Sequence, residues 1–236
     1  MRAVERLGRA ATAVAGRLVA VPLGVVARWR GGKPMHPQGA VFDAVLERQG
    51  GTWGVAWLDA RATDAVVARL SRGAGLPARL PDLLGLAIRF PGDDGAPVDV
   101  LLTTTGRGRL TRLVPVLRRD TATFYSSIMG YRSDAGSLRL AAFPEADDVP
   151  SEPRPLAAAV ARDGLRFTLA ACVGLGPWRP FARLTLHRPL PGLDPEIRFD
   201  AVQNPPPGLV PDGPMARFRA PAYARARAAR TPTEPG

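Results

Sequence analysis

Short runs of alternating apolar and polar residues, each closed by a turn, dominate the chain from Gly31 to Thr105. Glycine, proline and aspartate supply the turns, and they end each segment after at most about ten residues. Alternating segments this close together pair as an antiparallel barrel or sandwich. We predict strands at residues 40–48, 52–57, 65–71, 84–90 and 98–105.

The second half of the chain has the same strand pattern, interrupted by other segments. It predicts strands at residues 137–143, 166–173 and 181–187, whereas Leu110, Leu113, Val114 and Leu117 favour a helix within residues 107–132. The acidic, proline-rich residues 144–155 are expected to form a surface connection. The run Asn204-Pro-Pro-Pro is the start of an arm, residues 204–211, that we expect to make no strand pairing because proline lacks the amide donor.

Residues 1–30 differ from the rest and are predicted to be an amphipathic helical arm, followed by a barrel domain at residues 31–236. Pro22 should kink or end the helix. The arm is expected to pack on its own domain or on a partner subunit of a homo-oligomer, with attachment to a membrane surface as the alternative. The apolar stripe consists of Leu7, Ala11, Val14, Leu18, Val21 and Val25.

The formal net charge is +11, and Lys33 is the only lysine, so arginine carries nearly all the positive charge. The arginines are scattered, several stand near acidic residues, and only 6% of residues are aromatic, which argues against a nucleic-acid partner. Arg17 breaks the apolar run that a signal peptide would need. We therefore expect a cytoplasmic protein, with membrane association through the arm as the alternative.

A single cysteine, Cys172, cannot form an internal disulfide, and its apolar surroundings predict a buried strand residue. With only two histidines, His36 and His187, a His-rich zinc centre is excluded.

The segment Arg219-Ala-Pro-Ala-Tyr223, with Arg230 seven residues later, suits a tyrosine that binds haem iron. Keeping a tyrosine as phenolate at pH 7 requires lowering its pKa by about three units, or roughly 4 kcal/mol. Ferric iron and a nearby guanidinium both favour the phenolate. Arg230 could meet a haem propionate. The structural alternative is a tyrosine at a helix surface.

His36 lies in a loop bracketed by prolines, a rigid position for an imidazole that exchanges protons with a ligand. Ser71 could fix the tautomer of this imidazole. Arg69 stands on a predicted strand and needs an anion, which a propionate or a carboxylate such as Asp82 would supply. The alternative for His36 is an exposed loop residue, and we expect His187 to be structural.

These segments together, in consistent order over about residues 33–230, resemble the haem-dependent catalase superfamily. The segments are Lys33-Pro-Met-His36-Pro-Gln-Gly39-Ala40, Val67-Ala-Arg69-Leu-Ser71, Pro81-Asp82-Leu-Leu-Gly85-Leu-Ala87-Ile88-Arg89-Phe90, Asp99-Val-Leu, Ala182-Arg183-Leu184-Thr-Leu186-His-Arg188, Phe199-Asp200 with Pro207-Gly208-Leu209, and Arg219 to Tyr223 with Arg230.

The resemblance implies an α+β fold, an eight-stranded antiparallel β-barrel with flanking helices, that binds haem b. It assigns Tyr223 as the iron ligand, supported by Arg219, and His36 as the acid–base catalyst, oriented by Ser71. Its remaining assignments place the propionates on the cationic side chains Lys33, Arg69 and Arg230.

One departure from the family bears on activity. The chain has Thr103-Thr104-Thr105 where catalases have Asn-Asn-Thr, so Thr103 or Thr104 would line the distal pocket. A chain that is also less than half a catalase's length suggests an open pocket, which favours a peroxidase using hydrogen peroxide or an organic hydroperoxide with an electron donor. The alternatives are a non-catalytic haem carrier or sensor, or a derivative without haem.

Overall fold

The computed structural model describes residues 38–77, 79–92, 95–194 and 196–213. Within these residues the chain forms ten strands, two α-helices and a 3₁₀ turn. The strands are β1 (Gln38–Gln49), β2 (Arg61–Arg72), β3 (Leu84–Pro91), β4 (Pro97–Thr104), β5 (Tyr125–Ser126), β6 (Gly130–Ser133), β7 (Gly136–Pro144), β8 (Leu165–Val173), β9 (Arg179–Pro189) and β10 (Val210–Asp212). The helices are α1 (Ala56–Asp59) and α2 (Pro153–Asp163), and the 3₁₀ turn is Thr111–Leu113.

Eight of the strands close into an antiparallel barrel in the order β1-β2-β3-β4-β5-β7-β8-β9, with β9 returning to β1. The remaining two strands extend one edge, because β6 pairs with β7 and β10 pairs with β6. Closure removes the free edges that an open sheet of this size would expose. The predicted eight-stranded antiparallel barrel is confirmed.

The barrel interior is filled by the residues of one face of each strand. In β2, for example, Val66, Ala68 and Leu70 are buried while the residues between them are only partly covered. Aromatic contacts help to fill the centre, since Trp57 stacks on Phe90 with ring centroids 5.4 Å apart. This alternation along the strands is what the sequence pattern predicted.

An arginine–aspartate pair closes each end of the barrel. At one end, Arg48 contacts Asp64 at 3.1 Å and donates a hydrogen bond to the carbonyl of Trp57 at 2.9 Å. At the other end, Arg72 and Asp82 are both fully buried, with Arg72 Nε 3.7 Å from Asp82 Oδ2. Buried charges need such partners, because an unpaired one would be strongly destabilising.

The predicted strand at residues 52–57 is wrong. Trp53 and Val55 are indeed buried, but their amides donate to the Asp59 carboxylate at 2.6 and 3.1 Å rather than to another strand. The segment is a turn that leads into α1. Alternating burial here reflects local capping by Asp59, which a pattern search cannot distinguish from strand pairing.

The predicted helix within residues 107–132 is also wrong. Only the turn Thr111–Leu113 is helical, and Pro115 follows it at a point where it disfavours helical backbone. Instead, Thr105 forms an isolated bridge with Pro115, and the backbone of Asp82 forms another with Arg118. Strands β5 and β6 occupy the later part of this region.

Two further elements differ from the sequence prediction. The predicted surface connection at residues 144–155 runs into α2, which begins with Pro153 and ends before Gly164 at φ +69°. Proline in the first turn and glycine after the last are ordinary helix boundaries. The predicted arm at residues 204–211 also pairs, because Val210 and Pro211 belong to β10, an edge strand where proline is tolerated.

The predicted helical arm, residues 1–30, lies outside the described residues. Among the described helices, none is long and apolar enough to cross a membrane.

Candidate functional site

The outer face of β1 to β4 carries a row of small residues. Gly39 pairs with Ser71, Ser71 with Gly85, and Gly85 with Thr103, so these four residues form one row across four strands. None of them is larger than threonine. We call this row the small-residue strip; Gly39 and Ser71 in it are partly exposed, whereas Gly85 and Thr103 are buried.

Arg69 lies in the next row of the same face, between Val41 on β1 and Ala87 on β3. Its Nε donates to Asp194 Oδ1 at 2.7 Å, and the two side chains are 13% and 24% exposed. Asp82, which we had considered as the partner of Arg69, pairs with Arg72 instead. Arg69 therefore presents a partly exposed cation beside the small-residue strip.

Gly39 makes room for this guanidinium. A Cβ at position 39 would lie 2.7 Å from Arg69 Cζ and 2.9 Å from the Leu70 carbonyl oxygen. Both distances are shorter than a carbon atom tolerates, so a larger residue would displace the arginine or the strand. The local sequence thus positions Arg69 over β1.

The predicted hydroxyl residues lie on two different faces. Ser71 and Thr103 share the outer face, where Thr103 Oγ1 donates to the Leu84 carbonyl at 3.0 Å and Ser71 Oγ contacts the Gly85 carbonyl at 3.4 Å. Thr104 lies on the interior face, fully buried, and its Oγ1 donates to the Val116 carbonyl at 2.7 Å. Of the two threonines, Thr103 is the one on the same face as Arg69 and Ser71, with β3 between them.

The other predicted site residues lie outside the described residues: Lys33, His36, Arg219, Tyr223 and Arg230. The structure therefore brings together Arg69, Ser71 and Thr103. In the described part of the chain, no three His, Cys, Asp or Glu side chains cluster as they would around a metal ion.

Sequence reasoning missed Asp194 as the partner of Arg69. It stands in the turn Pro191-Gly-Leu-Asp194, far along the chain from β2, and nothing in its local pattern indicates the contact. The turn is held near β1 because the Leu190 amide donates to the Val41 carbonyl at 2.7 Å.

A second ion pair borders the same face. Arg89 and the fully buried Asp99 form two hydrogen bonds of 2.7 Å each, and Asp99 also accepts from the Asp200 amide at 2.7 Å. The Arg89 guanidinium lies over the Phe199 ring, 5.0 Å from its centroid. This cluster fixes the chain after β9 against the barrel, so these residues are structural.

The opposite side of the barrel is closed by an aromatic and arginine cluster. Arg112 is buried, lies 4.4 Å from the Trp178 ring centroid, and donates to Cys172 Sγ at 2.9 Å. Burial raises the pKa of the Cys172 thiol, and Arg112 partly offsets this. Cys172 is a buried strand residue, as predicted.

Two other titratable groups have shifted pKa values. Burial, with a smaller contribution from Asp120, raises the pKa of Tyr125, whose hydroxyl donates to the Thr121 carbonyl at 2.9 Å. Hydrogen bonds from Thr168 and Arg183 lower the pKa of Glu145. Both groups lie away from the small-residue strip and have structural roles.

The fold is of the type found in solved catalase structures. No family model matches the sequence, and no curated protein matches it. Among solved structures, the barrel is similar to a bacterial catalase (TM-score 0.63, 12% identity), covering 84% of this chain and 57% of that one.

Two further catalases are similar to the same degree. A fungal catalase matches with a TM-score of 0.62 and 12% identity over 86% of this chain and 60% of its own. Catalase A from Saccharomyces cerevisiae matches with a TM-score of 0.64 and 12% identity over 84% and 61%. The chain thus spans about three fifths of these structures' length, which corrects the expectation that it is less than half as long as a catalase. The similarity establishes a catalase-like fold.

Proposed function

We propose that this protein binds haem b on the outer face of β1 to β4 and acts as a peroxidase that reduces hydrogen peroxide or an organic hydroperoxide. The observation that supports the proposal best is the position of Arg69. It stands beside the small-residue strip of a catalase-like barrel, at the position where the sequence resemblance predicts a propionate-binding arginine.

The described residues fit such a group. Gly39 and Ser71, the partly exposed members of the small-residue strip, are small enough for a flat macrocycle to approach the face beside Arg69. Arg69 supplies a cation at the side of this strip, and its geometry suits a carboxylate because Asp194 already binds there at 2.7 Å. A propionate could replace or join Asp194 at the same guanidinium.

The remaining roles are assigned to residues outside the described ranges. Tyr223 would hold the iron, Arg219 would stabilise its phenolate, and Lys33 and Arg230 would bind propionates. When bound, haem b supplies the two-electron redox chemistry that cleaves the O–O bond.

The protein's own contribution to turnover is proton transfer. In the proposal His36 takes a proton from one peroxide oxygen and returns it to the other, so that a neutral water or alcohol leaves. Ser71 would orient the imidazole, and Thr103 would line the pocket. An external electron donor then restores the resting protein.

A second candidate function is a haem carrier or sensor without turnover. The observation that favours it is Thr103, which replaces the family's asparagine and whose hydroxyl is used by the Leu84 carbonyl at 3.0 Å. A hydroxyl donating to the backbone is less able to position a peroxide.

The absorption spectrum of the full-length protein reconstituted with haem tests the proposal. We expect a ferric tyrosinate-type Soret band that Tyr223→Phe abolishes and that the control Tyr131→Phe retains. A protein that stays colourless with excess haem, or a band unaffected by Tyr223→Phe, contradicts the proposed ligand.

Peroxide turnover with an electron donor separates the enzyme from the carrier. We expect His36→Ala to lower turnover by about two orders of magnitude or more, the usual contribution of an acid–base catalyst. The control is His187→Ala, which changes an exposed histidine on β9. Haem binding with no turnover in the unmodified protein would favour the carrier.

A further inference from the structure

Most of the exposed large apolar side chains in the described part of the chain lie in one region. Eight such residues are exposed, and six of them lie on or beside residues 107–119. Leu110 is 70% exposed and Leu117 is 55% exposed, although leucine is normally covered. We call these six residues the loop patch: Leu80, Leu110, Leu113, Val114, Leu117 and Leu175.

Contacts between neighbouring segments bring the members of the loop patch together. The backbone bridge between Asp82 and Arg118 joins the segments that carry Leu80 and Leu117. Arg109 Nε donates to the Leu175 carbonyl at 2.8 Å, which joins residues 107–114 to the turn after β8. The patch is therefore one surface rather than scattered single residues.

The loop that presents this patch is held firmly. Arg112 points inward and donates to Cys172 Sγ at 2.9 Å and to the Gly176 carbonyl at 3.0 Å. The Gly106 amide donates to the carbonyls of Thr111 and Val114 at 3.1 and 3.2 Å. The leucines are thus exposed in a loop that several hydrogen bonds hold in place.

The charge around the loop patch is positive. Residues 107–119 contain five arginines and no aspartate or glutamate. Arg112 is buried, whereas Arg107, Arg109 and Arg119 are exposed, as is the neighbouring Arg79. Asp120 follows this segment and accepts from the Asp148 and Val149 amides, so acidic residues border the patch on one side. Exposed leucines with several exposed arginines around them are the composition that binds an anionic lipid surface.

We propose that the loop patch docks on the surface of a membrane that contains anionic lipids. Leu110 and Leu117 enter the boundary between headgroups and acyl chains, while the arginines contact lipid phosphates. The proposal concerns residues other than 1–30 and does not depend on haem binding.

Vesicle sedimentation with the full-length protein tests this. We expect binding to vesicles of phosphatidylcholine with phosphatidylglycerol, weaker binding to phosphatidylcholine alone, and loss of binding as salt is raised. The double variant Leu110→Ser/Leu117→Ser should reduce the partition coefficient by about tenfold or more. Val210→Ser is the matched control, because Val210 is 51% exposed on β10 away from the patch.

The arginines are tested separately. Arg107→Gln/Arg119→Gln should weaken binding at low salt by about fivefold per charge, and Arg132→Gln/Arg154→Gln, which removes two exposed arginines outside the loop patch, should have a smaller effect. Thermal melting should change little in all these variants because the side chains are exposed.

Several results would overturn the proposal. One is an unmodified protein that does not bind the anionic vesicles, and another is binding that the leucine variants leave unchanged, which would point to a different part of the chain. Equal losses in Val210→Ser would show a non-specific effect. The protein could also self-associate in the absence of lipid. If Leu110→Ser/Leu117→Ser abolished that self-association, a second copy of the chain would be the partner of the loop patch.

Discussion

Arg69 and Arg72 lie three residues apart on β2, and each pairs with an aspartate, yet they face opposite sides of the barrel wall. Arg72 is 1% exposed and its partner Asp82 is completely buried. Arg69 and Asp194 are both partly accessible to solvent. The difference separates an arginine enclosed within the fold from one that is partly accessible to solvent.

The interior pair is surrounded by fixed polar partners. Arg72 donates to the carbonyl of Leu80 at 2.9 Å and to the Ser151 hydroxyl, while Asp82 accepts from three backbone amides between 2.7 and 3.0 Å. These contacts join the end of β2 to the loop before β3 and to the residues before α2. No ligand could reach Arg72 without opening the barrel end.

The outer pair has no comparable enclosure. Asp194 comes from a turn after β9, and its contact with Arg69 lies at the surface next to the small-residue strip. A surface pair contributes little to stability, because water solvates both charges when they separate. Replacing the Asp194 carboxylate at Arg69 by a ligand's carboxylate would therefore cost little folding stability.

The largest effect in this comparison is expected from Arg72→Met. It leaves Asp82 buried without its cation, so we expect the free energy of unfolding to fall by about 3–5 kcal/mol. Urea denaturation followed by circular dichroism measures the change. A loss below about 1 kcal/mol would mean that Arg72 is not needed to neutralise Asp82, and the distinction drawn between the two arginines would fail.

Arg69→Gln is expected to reduce folding stability less than Arg72→Met does, but to lower haem affinity. The pair with Asp194 is partly exposed, so unfolding should become easier by no more than about 1 kcal/mol. If the proposed haem site is right, haem affinity should fall by about tenfold or more, since charge-assisted hydrogen bonds to the propionate are lost. Titration of the Soret band measures this.

Asp194→Asn is the matched control for Arg69→Gln. It breaks the same ion pair but leaves the guanidinium in place, so haem affinity should stay the same or increase. Equal losses of affinity in the two variants would show that the ion pair with Asp194, rather than the Arg69 guanidinium alone, supports binding.

The sequence predicted the strand of Arg69, at residues 65–71, but ended it one residue before Arg72 and predicted the partner of neither arginine. Alternation along β2 places Arg69 and Arg72 on opposite faces, and the interior of β1 to β4 follows from the same rule. Asp194 and Asp82 reach the strand from turns, and contacts between turns and strands leave no periodic signal. The resemblance indicated the position of Arg69, whereas its pairing with Asp194 required the structure.

The segments that were predicted wrongly share a physical cause. At Trp53 and Val55, and again at Leu110 to Leu117, the apolar spacing is real, but backbone hydrogen bonds go to Asp59 or across to other loops. Side-chain spacing reports which residues could share a face. It does not report where the amides find their acceptors.

Arg112 extends the comparison to a buried arginine whose neighbour is a neutral thiol. Its Nη1 donates to Cys172 Sγ at 2.9 Å, and burial raises the pKa of that thiol above its ordinary value. The folded protein therefore keeps the thiol protonated where the unfolded chain loses the proton. A raised folded-state pKa contributes stability that is complete below the unfolded value, about 8.5, and declines as pH rises beyond it.

The smallest expected effect is the pH dependence that Cys172 adds. Between about pH 8 and 9.5 the unmodified protein should lose stability relative to Cys172→Ser, by less than the roughly 1.4 kcal/mol per pH unit of one full proton. Urea denaturation of both proteins under reducing conditions measures the difference. Burial also raises the pKa of Tyr125. Its effect on stability begins only above about pH 10, where the tyrosine of the unfolded chain ionises, and so lies outside this pH range. Parallel pH profiles would mean that Arg112 holds the folded Cys172 thiol at its ordinary pKa. The interpretation that Arg112, the third arginine of the comparison, has a neutral partner would then be wrong.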